Sequence, residues 1–120
     1  MREIRQKSNV EQLESRCRIT GLADKRLLIA SHIKPWRVCE TAAERLDGAN
    51  GLLLAPHIDR LFDLGLLTFT QTGGVILSGT LKRETIECLG LHRSIIEGVN
   101  PFMDVQESYL TYHREYVFIA

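Results

Sequence analysis

Residues 27–65 constrain this chain more than any other stretch. They read LLIASHIKPW, a variable loop, then NGLLLAPHIDRLFDLG. His32 closes an apolar, strand-like run, Asn50-Gly51 opens a second one, and a short helix carrying His57, Asp59 and Asp63 comes last. Polar groups set at the edges of buried elements are costly unless they are paired or converge on a common partner. A fold for this chain must therefore give them one.

Local rules set the order of elements. Leu27 to Ile29 is apolar and bounded on both sides, which predicts a short buried strand ending on Ser31-His32. Pro35 stops any regular element, and Lys34, Trp36 and Arg37 make the following loop basic and aromatic. Residues 41–46 predict one or two helical turns capped by Thr41. The cluster DGANG is a turn signal, and Leu52 to Leu54 form a second strand, so a hairpin with a long inserted loop follows. Pro56 suits the first turn of a helix and Gly65 its stop, which predicts a helix over 56–64. Ile58, Leu61 and Phe62 would face the hairpin, leaving Asp59 and Asp63 stacked on a neighbouring face. Two carboxylates so placed repel unless a cation sits between them.

The flanks are less distinctive. Residues 2–16 are charged and sparsely apolar, predicting a partly exposed helix or arm too polar for the core. Cys17, Ile19 and Thr20-Gly21 suggest a short strand and turn. Two apolar runs around Gly73-Gly74 predict a second hairpin, residues 80–89 a short helix, and residues 104–117 a last helix. Its Val105, Tyr109, Tyr112 and Tyr116 form a stripe expected to close the core. His92 and His113 lack acidic neighbours and are assigned structural or surface roles.

A length of 120 residues, 44% of them hydrophobic, suits one domain with one core. Its expected organisation is a single α+β domain over 1–120, with the motif core at 27–65 and a polar arm or helix at 1–16. The 15 basic and 15 acidic residues balance, so any nucleic-acid contact must be local. No apolar run approaches the roughly 20 residues that span a bilayer, and the stretch MREIRQKSN has no hydrophobic segment of the kind a secretion signal carries. The expectation is a cytoplasmic protein without membrane contact. Cys17, Cys39 and Cys88 are an odd set with no close pair, read as free thiols and not as a zinc knuckle.

ASHIKPW followed by NGLLLAPHIDRLFDLGLLTF resembles the HNH endonuclease family, in its branch of restriction-type proteins, and YLTYHREYVF resembles that branch's usual ending. The resemblance implies a ββα-metal (HNH) core, here with an additional β-hairpin and flanking helices. It also implies a metal-dependent DNA endonuclease that hydrolyses phosphodiester bonds with a histidine general base and a divalent cation. The residue types suit that chemistry. A base must titrate near neutrality, as histidine does with an unperturbed pKa of about 6.5, and charge on the leaving oxygen calls for a hard cation held by carboxylates.

By position, His32 matches the family's base and Asn50 the residue that fixes the loop and orients it. Asp59 falls at the last metal-ligand slot and Asp63 one turn later. His57 stands two residues from that slot, so the register between His57 and Asp59 stays open. Ser31 stands where many members place a metal ligand. Lys34, Arg37 and Arg45, in the loop, are the candidate substrate-binding cations. The expected cofactor is a divalent metal, Mg²⁺ first, with Mn²⁺, Ni²⁺ or Zn²⁺ as other candidates and no structural zinc. The expected partners are DNA and a recognition subunit, a fused domain or a second copy. The alternative is a catalytically weakened nucleic-acid-binding module on the same fold.

Overall fold

The computed structural model describes residues 2–91 and 100–120, with side chains described from Gln6 onward. Helix α1 (Arg2–Val10) leads through turns to strand β1 (Ile29–His32), helix α2 (Ala42–Leu46), strand β2 (Gly51–Leu54) and helix α3 (Pro56–Asp63). Strands β3 (Leu67–Phe69) and β4 (Val75–Leu77), helix α4 (Arg83–Cys88) and helix α5 (Asp104–Tyr112) follow. α5 runs on into a wider π-helical turn, His113–Val117. Helices and two small sheets make this an α+β fold.

β1 and β2 pair antiparallel, with Ser31 opposite Leu52 and His32 opposite Gly51. β3 and β4 form a separate antiparallel pair. Every residue of β2 is buried, and both α1 and α3 pack against the strand. A strand covered on both faces reads as a continuous apolar run, as GLLL does. α3 buries Ile58, Leu61 and Phe62, and its end is a Schellman turn. The Leu66 amide reaches the Leu61 carbonyl (2.8 Å) and the Gly65 amide that of Phe62 (3.2 Å), with Gly65 in the left-handed region at φ 77°. Gly51 needs no unusual dihedral, at φ −155°. It is glycine because a Cβ would collide with Gln6 and Val10 of α1.

Several expectations change here. The first strand begins two residues late, at Ile29, so Ser31 and His32 lie within it and Leu27 is exposed. Cys17 to Gly21 is a turn and not a strand, closed by the Gly21 amide on the Cys17 carbonyl (2.9 Å). The polar amino-terminal arm belongs partly to the core, with Gln6, Val10 and Glu14 all buried. Glu14 is compensated by Arg18, which donates to both of its oxygens (2.8 and 2.9 Å), and by Gln106 (3.2 Å). The stripe on α5 also turns out differently. Val105 is 58% and Tyr116 72% exposed, while Gln106, Leu110 and His113 face inward. His92 lies outside the described residues.

His113, assigned a structural or surface role, is buried. It stacks on Phe62 with ring centroids 3.7 Å apart, its Nε2 pairs with the Phe62 carbonyl (2.9 Å) and its Nδ1 with Thr68 Oγ1 (2.9 Å). The carbonyl can only accept, so Nε2 carries the proton and Nδ1 accepts from the threonine. Burial pushes its pKa down to about 4. The unfolded chain therefore binds the extra proton first, and the stability held above pH 6.5 is lost as pH falls towards 4, by about 3 kcal/mol for this group. Urea unfolding at pH 7 and pH 4.5 should show this loss in the wild type and a smaller one in His113→Gln. Equal pH dependence in both proteins would refute the assignment.

Candidate active site

His32 ends β1 at the mouth of a cleft of 360 Å³ lined by Ala30, Ser31, His32, Pro35, Trp36, Arg37, Asp59 and Asp63. Its Nε2 lies 2.8 Å from the Arg45 carbonyl. That oxygen can only accept, so Nε2 holds the proton, and in the neutral ring the lone pair sits on Nδ1. Trp36 meets the imidazole edge-on (5.7 Å between centroids) and carries the Arg45 guanidinium on its own face, 4.8 Å from its centroid. The ring is thus held by a carbonyl from one side and an indole from another.

Asn50, fully buried, does not face the cleft. Its Oδ1 accepts from the Lys34 amide (2.7 Å), and its Nδ2 donates to the Glu44 carbonyl (3.1 Å) and faces Cys39 Sγ (3.5 Å). One side chain thereby ties both ends of the inserted loop to the start of β2. Its relation to His32 runs through the backbone: Glu44 precedes Arg45, whose carbonyl holds the ring.

Across the cleft, α3 presents Asp59 and Asp63 one turn apart. Asp59 is half-buried, and desolvation raises its carboxyl pKa, aided by the nearby Asp63, while the Ser31 hydroxyl and Arg60 pull the other way. A desolvated carboxylate beside a second carboxylate is poised for a cation. His57 is exposed and is absent from the cleft lining. Among the described residues, no group of three His, Cys, Asp or Glu side chains is assembled for a metal. Two carboxylates and a hydroxyl do fit a hard divalent ion that keeps water and phosphate oxygens for its remaining positions, and do not fit a closed zinc site.

Of the three candidate substrate cations, the structure brings only Arg37 to the cleft. Lys34 is paired with Glu44 (2.9 Å), and Arg45 donates to the Cys39 carbonyl (3.1 Å) beneath Trp36. Cys39 is buried, which pushes its thiol pKa up, Cys17 is buried and Cys88 exposed, and all three are free. Sequence reasoning missed the Arg45 carbonyl as the partner of His32. A backbone acceptor has no side-chain signature, so no motif could have shown it.

Residues 17–70 match the family model of the HNH endonucleases, which supports that family for the segment holding the cleft and all of its polar walls. No curated protein matches it. Helices α1 and α5 lie outside the matched segment. Among the described residues, no helix is long and apolar enough to cross a membrane.

Proposed function

We propose that the protein is a metal-dependent DNA endonuclease, with His32 as general base and Asp59 and Asp63 as the residues that hold the cation. The observation that carries this reading is the tautomer of His32. Its Nε2 proton is committed to the Arg45 carbonyl, so the basic nitrogen is Nδ1, on a ring that lines the cleft opposite two carboxylates. In this reading Nδ1 takes the proton of the attacking water, and the Arg45 carbonyl stabilises the imidazolium that forms. Asn50 keeps the loop closed on the hairpin, so the carbonyl stays in place. Arg37 meets a phosphate flanking the scissile bond. A divalent ion bound by Asp59 and Asp63 would supply positive charge to the departing oxygen.

Among the described residues Arg37 is the one cation lining the cleft, so phosphate contacts are few and binding should depend on salt less steeply than in a highly basic protein. Specificity then rests on a recognition subunit, a fused domain or a second copy. The second reading, a nucleic-acid-binding module without cleavage, draws on the absence of a three-residue metal group among the described residues. Nicking of supercoiled plasmid with Mg²⁺, Mn²⁺ or EDTA separates the two. Metal-dependent nicking is expected. DNA retention without nicking under every metal would favour the weakened module.

A further inference from the structure

α2, five residues long, buries none of its side chains, and a helix this short has little stability of its own. Yet it carries the Arg45 carbonyl that fixes His32 and the Glu44 carbonyl held by Asn50. Something beyond packing has to place it. Asp47, at its carboxyl end, divides its carboxylate between two partners. Oδ1 accepts from the Ala49 amide (2.9 Å), capping the turn at Gly48–Asn50, and Oδ2 accepts from the Tyr109 hydroxyl (2.8 Å). The Asp47 carbonyl also accepts from the Asn50 amide (3.0 Å). Two neutral contacts from α1 assist: Gln6 donates to the Asn50 carbonyl (3.3 Å) and Asn9 to that of Leu46 (2.5 Å). Tyr109 bonds to the segment through a carboxylate, and such charge-assisted bonds are the stronger kind.

We propose that Tyr109, on α5 and outside the family-matched segment, is a positioning residue for the His32 site, acting through Asp47 on the 44–50 segment. The proposal rests on the nuclease reading of that site. Tyr109 touches neither the cleft nor the base. It anchors the turn whose preceding residues hold the imidazole by Nε2. Tyr109 reaches Asp47, while Tyr116, in the π-helical turn that follows α5, stands in solvent. The segment the family model covers is then not the whole of the working site.

The test compares Tyr109→Phe with wild type, using Tyr116→Phe, in the π-helical turn that follows α5, as a control. Long-range ¹H–¹⁵N NMR of the His32 ring at pH 8 reads the tautomer without any need for activity. The expected result is an Nε2–H ring in wild type and Tyr116→Phe, and a measurable Nδ1–H population in Tyr109→Phe. Single-turnover nicking should fall about tenfold in rate in Tyr109→Phe with half-saturating DNA nearly unchanged, since a small misplacement of a base is costly in rate and not in binding. Asp47→Asn keeps an acceptor for Ala49 but replaces the charge-assisted bond to the Tyr109 hydroxyl with a neutral one, so its loss should fall between wild type and Asp47→Ala, which should reproduce the full loss. Wild-type tautomer and rate in Tyr109→Phe would overturn the proposal, as would equal losses in Asp47→Asn and Asp47→Ala. Should Tyr109→Phe not fold, the Asp47 pair carries the test. Should wild type not nick DNA, the nuclease reading fails, and the NMR comparison still decides the coupling.

Discussion

Replacing His32 with alanine is expected to slow DNA nicking by roughly 10² to 10⁴, the usual contribution of a positioned base, while the fold and metal binding survive. The ring is half-buried at the end of a strand, and the hydrogen bond it gives to the Arg45 carbonyl contributes about 1 kcal/mol net. β1 keeps its register through the ladder from Ile29 to His32 opposite Gly51 to Leu54, which uses backbone groups alone. A purified His32→Ala protein with wild-type circular dichroism should therefore still titrate with divalent metal and yet cleave at a small fraction of the normal rate. Unchanged cleavage would remove His32 from the chemistry, whatever its neighbours.

The second large effect separates Asp59 from His57. Both sit in the first turns of α3, which begins at Pro56, so residue 57 is already helical and points about 200° around the axis from residue 59. Asp59 lines the cleft with Asp63 and His57 is exposed. Asp59→Ala should weaken Mg²⁺ or Mn²⁺ binding by about tenfold or more, equivalent to ~1.4 kcal/mol or above, and His57→Ala by less than about twofold. Isothermal titration calorimetry reads both. The metal-free protein should respond in the opposite sense: desolvation and Asp63 raise the Asp59 pKa, so its charge is unfavourable there, and Asp59→Asn should raise the melting temperature without metal. Loss of binding in His57→Ala with a silent Asp59→Ala would reverse the ligand assignment.

Much of this geometry was legible in the chain because it is local. Pro56 at the first turn and Gly65 with positive φ bound α3, and the spacing of Ile58, Leu61 and Phe62 put Asp59 and Asp63 on the side facing His32. The role of Asn50 in fixing the loop came from the family resemblance alone, because Asn50-Gly51 by itself reads as an ordinary turn. The candidate metal ligands were harder to rank, because positions two residues apart in sequence differ by half a turn, and the observed helix start at Pro56 decides where His57 points.

Composition and periodicity determined the order of strands and helices, the ends of α3 and the face that carries its carboxylates, since each depends on residues within about one turn of one another. Tertiary structure decided which polar residues are buried. Gln6, Glu14, Gln106 and His113 look like surface residues in a list, but each is inside because its partner arrives from far along the chain: Glu14 meets Gln106 across 92 positions and His113 meets the Phe62 carbonyl across 51. A periodic reading counts apolar side chains, so it assigned the inner face of the last helix to Val105, Tyr109, Tyr112 and Tyr116, of which Tyr109 packs against the core. The face that packs is half polar, satisfied by hydrogen bonds that form only once distant segments meet. The same physics placed the proton of His32, because its acceptor is the carbonyl of Arg45, brought to the ring by the fold.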